Sequence, residues 1–124
     1  MTDTRPLVSV VDDDESVRES LPDLLREFGY AVQAFPSAEE FLASSYLNQT
    51  KCLILDVAMP GMSGPDLERE LAQRGYQIPI IFITALGDDT VRSRLLQHGA
   101  LACLTKPFSD AALYEALDAA LRAR

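Results

Sequence analysis

The sequence of 124 residues is poor in several residue types, and each shortage excludes a class of protein or site. Its two cysteines, Cys52 and Cys103, lack the close spacing of a metal site or a disulfide framework. No apolar run approaches the roughly 20 residues that a helix needs to span a membrane. Lysine and arginine number only 11 against 19 acidic residues, so the net charge of −8 argues against direct binding to nucleic acid. Such an acidic chain is compatible with a carboxylate cluster that binds a cation.

The content of apolar residues, 48%, is enough for one packed core, and the length is typical of a single domain. We therefore expect residues 1–124 to form one domain, with a core from about residue 7 to residue 121. The last four residues are consistent with the boundary of a longer protein. Only a short apolar segment precedes Asp12, so we expect no secretory signal. We take the reducing cytoplasm as the default location.

Five short apolar segments alternate with five segments of helical periodicity. The predicted strands are residues 7–11, 30–35, 52–56, 78–84 and 100–105. The predicted helices are residues 16–28, a helix capped by Ser37, and residues 65–74, 88–97 and 110–121. Strict alternation of strands and helices predicts a parallel sheet covered on both faces. The expected architecture is a flavodoxin-like, doubly wound (βα)5 three-layer sandwich with strand order 2-1-3-4-5.

Carboxylates follow the first and third strands, which flank the point where this strand order reverses direction. Asp12 and Asp13 follow strand one, and Asp56 ends strand three. Because ligands bind at the carboxyl ends of the strands at that point, we expect these side chains to form a site. Three neighbouring carboxylates repel one another unless a cation joins them or some stay protonated. A few hard oxygen ligands are typical of a Mg²⁺ site.

Two further polar residues follow the next strands of the predicted sheet. Thr84 ends strand four, and Lys106 comes directly after strand five. A hydroxyl group and a fixed cation beside a metal-bound carboxylate suit a tetrahedral dianion. Asp56 is then a candidate nucleophile toward phosphorus, with Mg²⁺ and Lys106 neutralising the developing charge.

Taken together, four motifs in this order resemble the receiver domain of two-component response regulators, and the chain is similar to the FixJ-type branch. The motifs are the acidic pair after strand one, Asp-x-x-Met-Pro-x-x-x-Gly at residues 56–64, Thr-Ala at residues 84–85 and Lys-Pro at residues 106–107. The resemblance extends over residues 7 to 121. Each motif alone is weakly specific, but the ordered set is strongly specific.

The resemblance implies a role for each matched position. Asp56 would be the phosphoacceptor and a metal ligand. Asp13 would bind Mg²⁺ directly and Asp12 through a water molecule. The backbone carbonyl of Ala58 would be the third protein ligand.

The two remaining positions would contact the phosphoryl group. Thr84 would direct its hydroxyl to that group, and Lys106 would pair with it. The Lys106–Pro107 peptide bond would be cis, as in the family, and would orient the lysine.

The function implied by the resemblance is a signalling switch. A sensor histidine kinase would transfer a phosphoryl group to Asp56, and contacts on the face formed by helix four, strand five and helix five would change. The response would pass to a downstream output domain, to a partner protein or to a homodimer formed on phosphorylation. The domain would assist only its own phosphorylation and dephosphorylation, so it would not be an enzyme with an external substrate.

One position departs from the family pattern. Receiver domains usually have Tyr or Phe three residues before the lysine, whereas this chain has Cys103. A thiol cannot occupy the volume of a rotating ring, which puts a conventional aromatic switch in doubt. Two interpretations stay open: a packed small hydrophobe and a redox-sensitive thiol. On helix four, Val91, Leu95 and Leu96 could serve either the core or the output surface.

Three rival functions share this topology. A phosphatase of the haloacid dehalogenase type needs a second Asp two residues after the nucleophile, where this chain has Ala58. A flavin-binding domain needs a phosphate loop after strand one, where the acidic residues 12–15 would repel a phosphate. A degenerate receiver that acts as a phosphorylation-independent interaction module remains the alternative, because of Cys103.

Overall fold

Five parallel strands form one sheet in the order β2-β1-β3-β4-β5 in the computed structural model, which describes residues 4–85 and 89–122. The strands are β1 (Leu7–Val11), β2 (Ala31–Phe35), β3 (Thr50–Asp56), β4 (Ile80–Thr84) and β5 (Ala102–Thr105). The helices are α1 (Glu15–Glu27), α2 (Ala38–Leu42), α3 (Gly64–Gln73), α4 (Asp89–Gln97) and α5 (Asp110–Arg122), with a 3₁₀ turn at Leu47–Gln49. The predicted fold class and strand order are confirmed.

The predicted boundaries are wrong by one or two residues at several ends, for local reasons. Strand β4 begins at Ile80 instead of residue 78, and Pro79, which has no N–H, contributes only its carbonyl, which accepts from Leu53 N at 3.0 Å. Helix α3 begins at Gly64, because Ser63 and Asp66 form a reciprocal capping box that the sequence analysis missed. The predicted start of the fourth helix at residue 88 lies outside the described residues.

The sheet separates two apolar layers, because successive side chains of each strand point to opposite faces. One layer, under α1 and α5, includes Val8, Val10, Ile54, Ile81, Ile83, Leu113 and Leu117. The other, under α2, α3 and α4, includes Val11, Leu53, Leu55, Phe82, Phe41, Leu67 and Leu95. The consecutive apolar residues of β3 and β4 therefore serve both faces, as predicted.

Cys52 and Cys103 are both buried and free. They lie on β3 and β5, and β4 separates these two strands. The predicted absence of a disulfide between them is confirmed. In the parts of the chain that the structure describes, no helix is long and apolar enough to cross a membrane.

Candidate functional site

Three carboxylates converge at the carboxyl edge of the sheet. Strands β1 and β3 pair with Val11 opposite Leu55. The next residues, Asp12 and Asp56, therefore lie side by side at the carboxyl ends of these strands. Asp12, Asp13 and Asp56 each offer a carboxylate oxygen, and these atoms lie within 4.8 Å of one another. Asp12 and Asp56 are buried, whereas Asp13 is exposed. The predicted convergence of the three residues is therefore present in the fold.

Asp12 is held by its backbone and by one oxygen of its side chain. Its N–H donates to Phe35 O at 3.1 Å, and Arg18 Nη1 donates to its carbonyl oxygen at 2.9 Å. Its Oδ1 accepts from Asp14 N at 2.9 Å, which fixes the start of the loop between β1 and α1. Asp14 in turn caps α1, because its Oδ1 accepts from the backbone N–H of Ser16 at 2.9 Å.

The second oxygen of Asp12 has a charged neighbour but lacks a hydrogen bond. Lys106 Nζ lies 3.0 Å from Asp12 Oδ2. Oδ2 is nevertheless a buried atom that makes no hydrogen bond among the described residues, so Lys106 acts on it as a nearby charge. A buried, unsatisfied carboxylate oxygen is costly unless a ligand completes it. Together with the carboxylates of Asp13 and Asp56, it forms a hard oxygen donor set that fits Mg²⁺.

The electrostatics of Asp56 follow from its burial. Its side chain is only 6% exposed. Burial, and then the charge of Asp12, raise the pKa of Asp56 to about 7, and Lys106 opposes this shift. Burial lowers the pKa of Lys106, but the Asp12 carboxylate and the charges of Asp56 and Asp14 outweigh it and raise that pKa. Without a divalent cation, Asp56 therefore keeps its proton to a higher pH than an ordinary aspartic acid does.

Thr84 and Lys106 lie at the same edge, at the ends of β4 and β5. Strands β4 and β5 pair with Thr84 opposite Thr105, and Lys106 N donates to Thr84 O at 2.7 Å. The Lys106–Pro107 peptide bond is cis, as the resemblance implies. Thr84 is half-buried at the end of β4. The fold thus brings both residues to the edge that carries the carboxylates.

The loop from β3 to α3, residues 57–63, returns tightly onto the end of β3. Gly64 N donates to Val57 O at 3.0 Å. A Cβ atom on Gly64 would lie 2.4 Å from the carbonyl oxygen of Asp56 and 3.1 Å from the Phe82 ring. The last glycine of the Asp-x-x-Met-Pro-x-x-x-Gly motif is therefore required by close backbone contact beside Asp56. Ala58 is exposed in this loop, and the role of its carbonyl as a metal ligand stays a prediction.

Two residues that support the site were missed by the sequence analysis. Arg18, on α1, anchors the carbonyl of Asp12. Glu39, on α2, accepts a hydrogen bond from Met62 N in the β3–α3 loop at 3.3 Å. Both are charged residues on helices, and in the sequence they cannot be told apart from solvated surface positions.

Cys103 is 3% exposed and packs in the layer under α2, α3 and α4. It lies opposite Phe82 in the pairing of β4 and β5, and burial raises the pKa of its thiol. A buried thiol with a raised pKa is inert, which favours the packed-hydrophobe interpretation over the redox one. On α4, Leu95 is 5% exposed and belongs to the core, whereas Leu96 is 40% exposed.

Comparison with known proteins gives one consistent result. The profile of the response regulator receiver domain matches residues 8–118. Nodulation protein W of Bradyrhizobium diazoefficiens is 48% identical over 117 residues, which are 94% of this chain and 52% of that protein. Response regulator protein TodT of Pseudomonas putida is 43% identical over 122 residues, 98% of this chain and 54% of its own length. The chain thus spans about half the length of the curated relatives that it matches.

Solved structures show the same similarity. The crystal structure of FixJ-N superposes with a TM-score of 0.84 at 38% identity, covering 98% of this chain and 96% of that one. The low-resolution structure of response regulator StyR superposes with a TM-score of 0.87 at 45% identity, covering 97% of this chain and 61% of that one.

Proposed function

The chain belongs to the family of response regulator receiver domains, and from this premise we propose that it is a Mg²⁺-dependent signalling switch whose Asp56 accepts a phosphoryl group from a sensor histidine kinase. The observation that carries the proposal is the convergence at one sheet edge of three carboxylates, one of them with an unsatisfied buried oxygen. Lys106 lies 3.0 Å from that oxygen and supplies positive charge. This arrangement suits the transfer of a dianionic phosphoryl group to Asp56. It does not suit a hydrolase that needs a second acid two residues later, because that position is Ala58.

The proposed reaction uses the carboxylate of Asp56 as the nucleophile. A lone pair of one carboxylate oxygen attacks phosphorus and forms an O–P bond, which gives an acyl phosphate. The bond from phosphorus to the histidine nitrogen of the kinase breaks, and the electron pair stays on that nitrogen. The imidazole leaves as a neutral ring when its other nitrogen carries a proton.

The residues proposed to hold Mg²⁺ are Asp13 and Asp56 directly, Asp12 through a water molecule and Ala58 through its backbone carbonyl. When bound, Mg²⁺ neutralises charge on the carboxylates and on the phosphoryl oxygens. The backbone of Asp12 is fixed by hydrogen bonds to Phe35 and to Arg18. The carboxylate of Asp12 can therefore stay in the same position when a metal ion or a phosphoryl group binds.

Lys106 and Thr84 are proposed to bind the phosphoryl group itself. The raised pKa of Lys106 keeps its ammonium charged at neutral pH, so it can compensate charge gained at phosphorus. The Thr84 hydroxyl would donate to a phosphoryl oxygen.

Signal output is proposed to use the face formed by α4, β5 and α5. Leu96 and Leu101 are each 40% exposed, one on α4 and one just before β5, so they are available for contact. The receiver, residues 1–124, would act on a downstream output domain, on a partner protein or through a homodimer formed on phosphorylation. It would work in the cytoplasm, where it would meet its kinase, and would bind neither nucleic acid nor membrane directly.

The second candidate is a degenerate receiver that recognises partners without phosphorylation. The observation that favours it is the packed Cys103 at the position where the family has an aromatic ring. In that case the acidic cluster would serve metal binding alone.

Incubation with acetyl phosphate followed by intact mass measurement separates the two candidates. The proposal predicts that the protein gains one phosphoryl group with Mg²⁺ and none with EDTA, and that Asp56→Asn gains none. An Asp23→Asn control removes an exposed carboxylate on α1 and should be phosphorylated like the wild type. A wild type that binds Mg²⁺ but stays unmodified would favour the degenerate module.

A further inference from the structure

We infer that Glu39 is a positioning residue for the metal site, because its carboxylate on α2 accepts a hydrogen bond from the backbone of the β3–α3 loop. The inference deepens the proposed function and rests on it, since the loop carries Ala58, a proposed Mg²⁺ ligand. Glu39 lies on α2, far from the ligands in sequence, and it need not touch the metal itself.

Glu39 bonds to the backbone of Met62 and lies beside Gly61, the preceding residue of the loop. Its Oε2 accepts a hydrogen bond from Met62 N at 3.3 Å. The same oxygen lies 3.0 Å from the position that a Cβ on Gly61 would occupy. Gly61 has a φ of +74°, in the left-handed region that favours glycine. The absence of a side chain at Gly61 therefore permits both the turn and the close approach of the carboxylate.

The short helix that presents Glu39 is anchored in the core. Two of its residues, Ala38 and Phe41, are fully buried. Ser37 caps the helix, with its Oγ accepting from Glu40 N at 3.1 Å. A short helix anchored in this way can hold a carboxylate in a fixed place even though Glu39 itself is exposed.

The two ends of the loop are fixed by other contacts. At its start, Met59 is 9% exposed and packs in the core. At its end, the Ser63 cap begins α3, and Gly64 N bonds back to Val57 O. Glu39 adds a restraint in the middle, from a separate helix. Removing it should give the segment around Ala58 more freedom, which must be lost again when a cation binds.

The contact needs an acceptor oxygen more than a charge, because its donor is a neutral backbone N–H. Glu39→Gln keeps an acceptor at the same reach. Glu39→Ala removes it, and Glu39→Asp keeps the charge but shortens the side chain by one methylene group. Glu40→Ala is the matched control, since Glu40 is the next residue, is also exposed and carries the same charge.

The experiment measures the Mg²⁺ dissociation constant by calorimetry for the wild type and the four variants, and then the rate of phosphorylation by acetyl phosphate against Mg²⁺ concentration. Glu39→Ala and Glu39→Asp should weaken Mg²⁺ binding about tenfold. Glu39→Gln and Glu40→Ala should stay within about twofold of the wild type. Saturating Mg²⁺ should restore the rate of each variant.

Each other outcome has a separate meaning. Wild-type Mg²⁺ affinity in Glu39→Ala, or in Glu39→Asp if the alanine variant does not fold, would overturn the inference and leave the proposed function intact. Equal weakening by Glu40→Ala would also overturn it, because only charge would then matter. A wild type that binds Mg²⁺ with the predicted dependence on Glu39, yet takes up no phosphoryl group, would contradict the proposed function alone.

Discussion

The ionised side chain of Asp56 destabilises the folded state of the metal-free protein. The side chain is 6% exposed and lies beside Asp12, so its pKa is raised from 3.8 to about 7. Since the folded protein binds this proton more tightly than the unfolded chain does, Asp56 lowers the free energy of unfolding as the pH rises from about 4 to about 7. Above that range the destabilisation is complete.

Asp56→Asn should therefore stabilise the metal-free protein at high pH. In EDTA at about pH 8, we expect its free energy of unfolding to exceed that of the wild type by on the order of 4 kcal/mol. The difference should shrink as the pH is lowered toward 5, because the wild-type carboxyl becomes protonated. Urea denaturation across this pH range checks it, with Asp23→Asn as the control for loss of one exposed carboxylate. A difference that does not change with pH would contradict the assignment.

Gly64 is the residue at which an added methyl group should do most damage beside the site. In Gly64→Ala, the added Cβ would meet the carbonyl oxygen of Asp56 at 2.4 Å. The clash is with backbone, so the end of β3 must shift, at a net cost on the order of 2 kcal/mol. We expect thermal denaturation to show this loss and calorimetry to show weakened Mg²⁺ binding.

Gly75→Ala provides the comparison for Gly64→Ala. No atom lies within 4 Å of its added Cβ, but its φ of +84° makes alanine strained, at a cost of about 1–2 kcal/mol. Its Mg²⁺ affinity should stay at the wild-type value. Equal Mg²⁺ affinities in the two variants would show that the contact of Gly64 with Asp56 does not shape the site.

At the scale of elements, α4 has one face in the core and one face in solvent. The sequence predicts its apolar residues but cannot divide them between core and output surface, because the helix has few apolar positions. The structure makes the division between two adjacent residues: Leu95 is 5% exposed and Leu96 is 40% exposed.

Alanine substitutions at these two positions should have different effects. Leu95→Ala should lower the free energy of unfolding by about 2–4 kcal/mol, because it leaves a cavity in the core. Leu96→Ala should change it by less than about 0.5 kcal/mol. Urea denaturation measures both, and each variant is the matched control for the other. Equal losses would mean that α4 packs differently on the sheet.

Element boundaries show where prediction from sequence reaches its limit. The strand cores follow from short apolar segments of the sequence, and all five strands are present. The ends depend on single hydrogen bonds, such as the capping box of Ser63 with Asp66. Such bonds depend on loop geometry that the order of residues does not determine.

At the scale of the whole molecule, topology explains why the site was predictable. Parallel strands end at a common edge, so residues far apart in the chain, such as Asp12, Asp56 and Lys106, converge once the strand order is known. The contacts of Arg18 and Glu39 were not predictable, because they depend on how helices rotate and on how loops turn. The sequence pattern therefore identifies the side chains that meet at this edge. The residues that hold them in place can be identified only from the structure.

The identity of the residue that carries the phosphoryl group decides whether Asp56 is the phosphoacceptor. The protein is phosphorylated with acetyl phosphate and Mg²⁺, the acyl phosphate is reduced with borohydride, and peptides are sequenced by mass spectrometry. We expect homoserine at Asp56 and at neither Asp12 nor Asp13, with no homoserine when EDTA replaces Mg²⁺. Homoserine at another aspartate, or an unmodified Asp56 in a protein that binds Mg²⁺, would contradict this expectation.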